Sequence, residues 1–107
     1  MRLTITARHI QLPPLLEDLL RSKVEKLEKF GHQLLSAHAI FGKERYFFTA
    51  ELTLSIKGLT LVGKAKDRAD ILTCMEEALH KLKEQLHRHE SKRLERLRRL
   101  ARMRRIA

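Results

Sequence analysis

Only one of the 107 residues is a cysteine, so no internal disulfide can form, and a lone thiol suits a reducing compartment rather than a secreted scaffold. Long apolar runs are also missing. The longest, Ala39 to Phe41 and Tyr46 to Phe48, span three residues each, whereas a membrane-crossing helix takes about 20. The first residues alternate Leu3, Thr4, Ile5, Thr6 and lack the apolar block of a signal peptide, so they read as mature structure and point to the cytoplasm. Tryptophan is absent, and Phe30, Phe41, Tyr46, Phe47 and Phe48 make up the aromatic set, too few for a platform that stacks successive bases of a single strand. There is no glycine-rich phosphate loop, no nucleophile motif and no carboxylate pair set apart from basic neighbours. Neither an enzyme nor a cofactor is therefore expected.

Acid is scarce relative to base: 13 acidic residues face 23 basic ones, a net charge of +10. The excess is uneven, because residues 1–90 carry 15 basic and 12 acidic groups and residues 91–107 carry 8 and 1. A mildly basic body with a strongly basic arm favours a polyanionic partner, nucleic acid first and an anionic membrane surface second. At 43% hydrophobic residues the chain can bury a core, so it is not a disordered basic tail. Its length fits one small domain that buries roughly two thirds of its unfolded surface without disulfides or a structural metal.

Leu3, Ile5 and Ala7 alternate with Arg2, Thr4, Thr6 and Arg8, the period of a strand with one wet face. Leu12-Pro13-Pro14 then stops the chain and opens a helix, since proline loses no partner in a first turn. Leu16, Leu19, Leu20, Leu27 and Phe30 recur at helical spacing, and Gly31 is placed to end that helix. Two further alternating stretches predict strands, Ala37 to Phe41 and Ala50 to Ile56. Lys57-Gly58 forms a hairpin turn into a fourth strand over Leu61 to Lys66. Asp67 or Asp70 can cap a last helix, whose apolar stripe is Ile71, Met75, Ala78, Leu79, Leu82 and Leu86. The expected class is α+β, β-α-β-β-β-α, a four-stranded sheet with both helices on one face; the pattern leaves strand order open. Residues 93–107 read as an Arg-rich helical extension or arm of a body spanning residues 1–92.

On a helical wheel Lys26 and Lys29 border one side of the first apolar stripe, with Glu17 and Glu28 on the other. Lys23 falls inside the stripe, where its stem snorkels out or its ammonium meets an anion. Lys81, Arg88, Lys92 and Arg99 fall within about 40° of one another along the second helix. Glu77, Glu84 and Glu95 stand four residues before Lys81, Arg88 and Arg99, so simple helix support is one explanation. Lys92 breaks that explanation, since the residue four before it is Arg88. Exposed pairs are also worth too little to demand the arrangement, which favours an anion-binding line. Arg8, Lys57, Lys64 and Lys66 extend positive charge to a sheet face or rim, or guard a strand edge. His80, Glu84 and His87 on adjoining turns make a weak metal set, and Cys74 reads as a small buried side chain.

Ile5-Thr6-Ala7-Arg8-His9-Ile10, then Lys23 to Phe30, then Asp70-Ile71-Leu72 and Lys81 to Leu86 together resemble the short ribosome hibernation promoting factors, also called ribosome-associated inhibitors. The resemblance covers about residues 1–92. It implies a β-α-β-β-β-α fold similar in shape to double-stranded RNA-binding domains. It also implies binding to the small ribosomal subunit in the channel for messenger and transfer RNA, blocking translation by occlusion. The positions it points to for rRNA binding are Lys23, Lys26 and Lys29, then Lys81, Arg88 and Lys92, with Arg8 after the first strand; Lys66 and Arg99 join them on charge and position. The partners expected are the small subunit and its rRNA, with a second hibernation factor as a further candidate, no membrane, and a monomer when free. The alternative is a general basic RNA-binding or ribosome-biogenesis module. A basic amphipathic membrane helix over residues 91–107 is disfavoured because arginine occurs almost all round it.

Overall fold

The computed structural model describes residues 2–29 and 34–106, with side chains to Arg104. Its elements are β1 (Arg2–Arg8), α1 (Pro14–Glu28), β2 (Leu34–Glu44), β3 (Phe47–Ile56), β4 (Leu59–Asp67) and α2 (Ile71–Ile106). The strands lie in the order β1-β2-β3-β4, with β1 parallel to β2 and the other neighbours antiparallel. A parallel pair needs a long crossover, which α1 supplies; the antiparallel pairs need only tight turns.

Those turns differ in how far sequence announces them. Gly58, at φ 81°, closes the β3–β4 turn at the expected Lys57-Gly58 pair. The β2–β3 turn uses Arg45 at φ 35° and Tyr46, residue types that carry no turn signal. That turn lets β2 and β3 each run three residues further than the alternation alone suggests.

The alternation decides which face is buried. Ala37, Ala39, Phe41, Ala50, Leu52, Leu54, Ile56, Leu61 and Ala65 point to the helices, which return Leu16, Leu20, Val24, Leu27, Cys74, Met75, Ala78, Leu79, Leu82 and Leu86. Each fully buried Leu or Met contributes roughly 1.5–3 kcal/mol of transfer free energy, so this layer holds the fold together. The first-helix stripe needs one correction: Val24 is in the core, whereas Leu19 sits on its flank at 37% exposure. Expected core member Phe30 and helix terminator Gly31 lie outside the described residues. α1 ends at Glu28, with the Lys29 N–H donating to Lys26 and Leu27 carbonyls.

Gly63 sets how closely α2 approaches the sheet. A Cβ there would stand 2.4 Å from the Ala78 carbonyl oxygen and 3.1 Å from Leu82 Cγ, so only glycine admits the helix backbone this close. At the start of α2, Asp67 Oδ1 accepts the Ala69 N–H at 2.6 Å, and Asp70 Oδ1 accepts the Thr73 N–H at 2.6 Å. Asp70 is thus the cap, while Asp67 shapes the preceding turn. Cys74 is buried, its thiol donating to the Ala65 and Phe48 carbonyls, and burial with nearby Glu77 and Asp67 charge pushes its pKa up to about 11. Such a thiol is inert at neutral pH.

Beyond Leu86, the last buried residue among those described, α2 continues without a break to Ile106. The molecule measures 61 × 23 × 19 Å, its long dimension drawn out by this helix.

Candidate nucleic-acid interface

Sheet register and helix phase together distribute the basic side chains over two surfaces. Lys81, at the flank of α2, reaches down past the free edge of β4 and donates to the Lys64 carbonyl at 2.6 Å. One turn on, Gln85 donates to the Val62 carbonyl at 2.7 Å. These outward carbonyls of an edge strand are ready-made sites for pairing with another chain, and α2 occupies them. Edge protection therefore comes from Lys81 and Gln85. The Lys81 ammonium has two further N–H donors in this position.

Arg88, Lys92 and Arg99 continue the line along α2. The three expected acid–base pairs four residues apart do not all form. Arg99 meets Glu95 at 3.0 Å, but Arg88 Nε donates to the Glu84 backbone carbonyl at 3.4 Å, and the Glu84 carboxylate meets His80 at 3.0 Å. Among the described residues Lys81 pairs with no carboxylate, and neither does Lys92. The line is left largely unneutralised, the electrostatic state of a surface that binds anions.

From α1, Leu27 faces α2 across a groove of about 820 Å³ whose described lining includes His80, Lys83, His87, Arg88, Ser91 and Leu94. Lys26 lies in the last turn of α1 and Lys29 caps it, but of α1 only Leu27 is among the described lining of the groove that Arg88 borders. Lys23 is half-buried on the flank of α1. Among the described residues no cluster of metal ligands forms, and His80 is engaged by Glu84.

Arg8 and Lys66 lie elsewhere. Strand alternation points both to the sheet face that carries no helix, and the register sets them in one row, Arg8–Gly42–Thr49–Lys66. With His9, Lys43 and Lys64 they surround a shallow concavity of about 490 Å³. Glu44 and Glu51 also line it, and Lys66 meets Glu44 at 3.4 Å. The sheet thus separates Arg8 and Lys66 from the seven helix-borne candidates. Sequence reasoning did not place Lys43 at this concavity, because which strands adjoin β2 is known only once the strand order is. Phe47 and Phe48, with Arg68 and Lys43 stacked at 5.0 and 5.4 Å from their ring centres, are occupied by cations and not free to stack on a base.

Comparison with known proteins adds what geometry alone does not. The model of the family described as sigma 54 modulation protein / S30EA ribosomal protein matches residues 3–94. The chain belongs to this family. A ribosome hibernation promoting factor of Klebsiella oxytoca is 25% identical over 92 residues, covering 86% of this chain and 96% of its own. One from Azotobacter vinelandii is 26% identical over 96 residues, covering 90% and 89%. A ribosomal subunit interface protein from Coxiella burnetii superposes with a TM-score of 0.75 at 19% identity, over 85% of this chain and 99% of that one. The N-terminal domain of Thermus thermophilus Protein Y gives 0.75 at 19%, over 83% and 99%. At those identities the two structures establish the fold, a four-stranded mixed sheet with two helices.

Proposed function

We propose that this family member is a ribosome hibernation factor that binds the small ribosomal subunit in its messenger and transfer RNA channel and inhibits translation by filling it. The observation that carries the reading is the basic line of α2, with Arg88 and Lys92 lacking carboxylate partners among the described residues, on a chain whose relatives are named ribosome hibernation promoting factors. Lys23, Lys26, Lys29, Lys81, Arg88, Lys92 and Arg99 are the proposed contacts on the helix side, with Arg8 and Lys66 contributing from the open sheet face. Residues 1–92 form the ribosome-binding body and residues 93–107 its extension.

The chemistry is recognition without catalysis. Lys and Arg side chains meet phosphate oxygens, which fix position and orientation and do not read sequence. Folded RNA suits this mode, since side chains cannot read its deep, narrow major groove and shape dominates recognition. Inhibition follows from occupancy, because RNA substrates and the protein compete for one space. The setting is the cytoplasm, and the free protein is a monomer, with a second hibernation factor as a further candidate partner on the ribosome. Co-sedimentation with small subunits, with messenger and transfer RNA as competitors, tests the reading: the competitors should displace the protein.

A further inference from the structure

From Leu94 onward every described side chain of α2 is exposed, and the match to the family model stops at residue 94. What this stretch does is therefore not given by the family. It holds Leu94, Leu97, Leu100 and Met103 at 50%, 51%, 50% and 67% exposure, among eight basic residues and one acid in residues 91–107.

The spacing of the apolar residues argues against a second protein helix. Steps of three on a helix turn back by about 60° each, so Leu94 and Met103 face opposite ways, about 180° apart. No straight apolar seam results, and a coiled-coil partner needs alternating steps of three and four. A second copy of the arm would also bring like charge against like.

The cations are distributed all round as well. Lys92, Arg96 and Arg99 share one side, Arg93 and Arg104 lie on one flank of it and Arg102 on the other, about 60° from Arg99, and Arg98 faces away, about 200° from Arg96. Only two ion pairs serve the described stretch, Arg93 with Glu90 and Arg99 with Glu95. Lys92, Arg96, Arg98, Arg102 and Arg104 have none, and like charges stand four apart at Arg88/Lys92, Lys92/Arg96 and Arg98/Arg102. A flat anionic surface such as a bilayer would satisfy one side of this helix and leave the other repelling. Two phosphate strands flanking it would satisfy both.

We infer that the arm, residues 94–106, is a second RNA-binding element that lies in a groove of folded RNA between two phosphate backbones. It spans about 20 Å, and its guanidinium groups suit bidentate contact with phosphate oxygens. Arginine-rich segments take up structure on such sites, which offsets the mutual repulsion of the helix. The inference rests on the proposed ribosomal role only for which RNA supplies the groove.

The test uses the full chain and a variant carrying Arg96→Gln, Arg98→Gln, Arg102→Gln and Arg104→Gln, residues outside the proposed body surface, with glutamine preserving helix propensity. Probes are a fluorescent RNA hairpin with an internal bulge, purified small subunits, and vesicles of equal phosphatidylglycerol and phosphatidylcholine. On the hairpin the variant should bind at least tenfold more weakly, and its log–log salt slope should fall by about 3, at 0.7–0.9 per phosphate contact. Unchanged affinity and slope overturns the inference, as does vesicle binding as tight as hairpin binding. If the unaltered chain fails on small subunits while the arm effect persists on the hairpin, the ribosomal reading falls and this one stands.

Discussion

Gly63→Ala is the substitution that most sharply tests how the sheet holds α2. The added Cβ would lie 2.4 Å from the Ala78 carbonyl oxygen, and separations under 3.0 Å essentially never occur, so α2 must retreat by at least about 0.6 Å. The obstacle is helix backbone, which no rotamer change relieves. Retreat loosens Ala78 and Leu82 from the sheet and pulls Lys81 and Gln85 away from the Lys64 and Val62 carbonyls. Overpacking of this kind costs about 1–3 kcal/mol, and the backbone obstacle puts this case in the upper half. A chain of this size has a stability of about 5–15 kcal/mol, so the variant still folds. With a urea m-value of about 1–3 kcal/mol/M, the midpoint of urea unfolding should fall by about 1 M at unchanged m. Gly58→Ala is a different case: the added Cβ meets nothing within 4 Å, and the cost is the strain of φ 81° alone. A Gly63→Ala protein with an unaltered midpoint would refute the claim that close approach at Gly63 positions α2.

Replacing Lys26, Lys81, Arg88 and Lys92 together by glutamine should weaken binding to small subunits and lower the log–log salt slope by about 3, with the unfolding midpoint changed little; retained affinity and slope would remove the helix surface from the account. The Asp70 carboxylate is held below its ordinary value of 3.8, chiefly by the Thr73 N–H and then by the Thr73 hydroxyl. The folded state therefore binds the proton less readily than the unfolded one, so the contribution is complete above pH 3.8 and is lost as pH falls through the lowered value. Denaturation of the native chain and of Asp70→Asn between pH 6 and 2 should show a stability difference that narrows in that acid range, and parallel curves would contradict it.

The period-two and helical patterns carried the element order because one face of every element is buried, and burial writes itself into alternation. Strand order was not legible: pairing β1 parallel to β2 depends on where α1 returns the chain, which no local residue records. The Arg45-Tyr46 turn escaped notice because it adopts positive φ without glycine or asparagine. For the candidate interface, the wheel placed Lys81, Arg88, Lys92 and Arg99 on one side of a helix, a local property of helix phase, and α2 runs unbroken through all four positions. It did not foresee that Lys81 would bond the Lys64 carbonyl and not Glu77, because that acceptor belongs to a strand edge 17 residues away. Nor did charge alone separate Arg8 and Lys66 from the helix-borne cations; that took the sheet between them.

Occupancy of the small subunit is the most direct test of the central claim. The purified chain, co-sedimented with small subunits across a salt series, should saturate near one copy per subunit, weaken steeply with salt, and be displaced when messenger and transfer RNA fill the channel. Diffuse binding that those RNAs leave unchanged, and that free duplex RNA competes away equally well, would contradict occlusion and leave a general RNA-binding module.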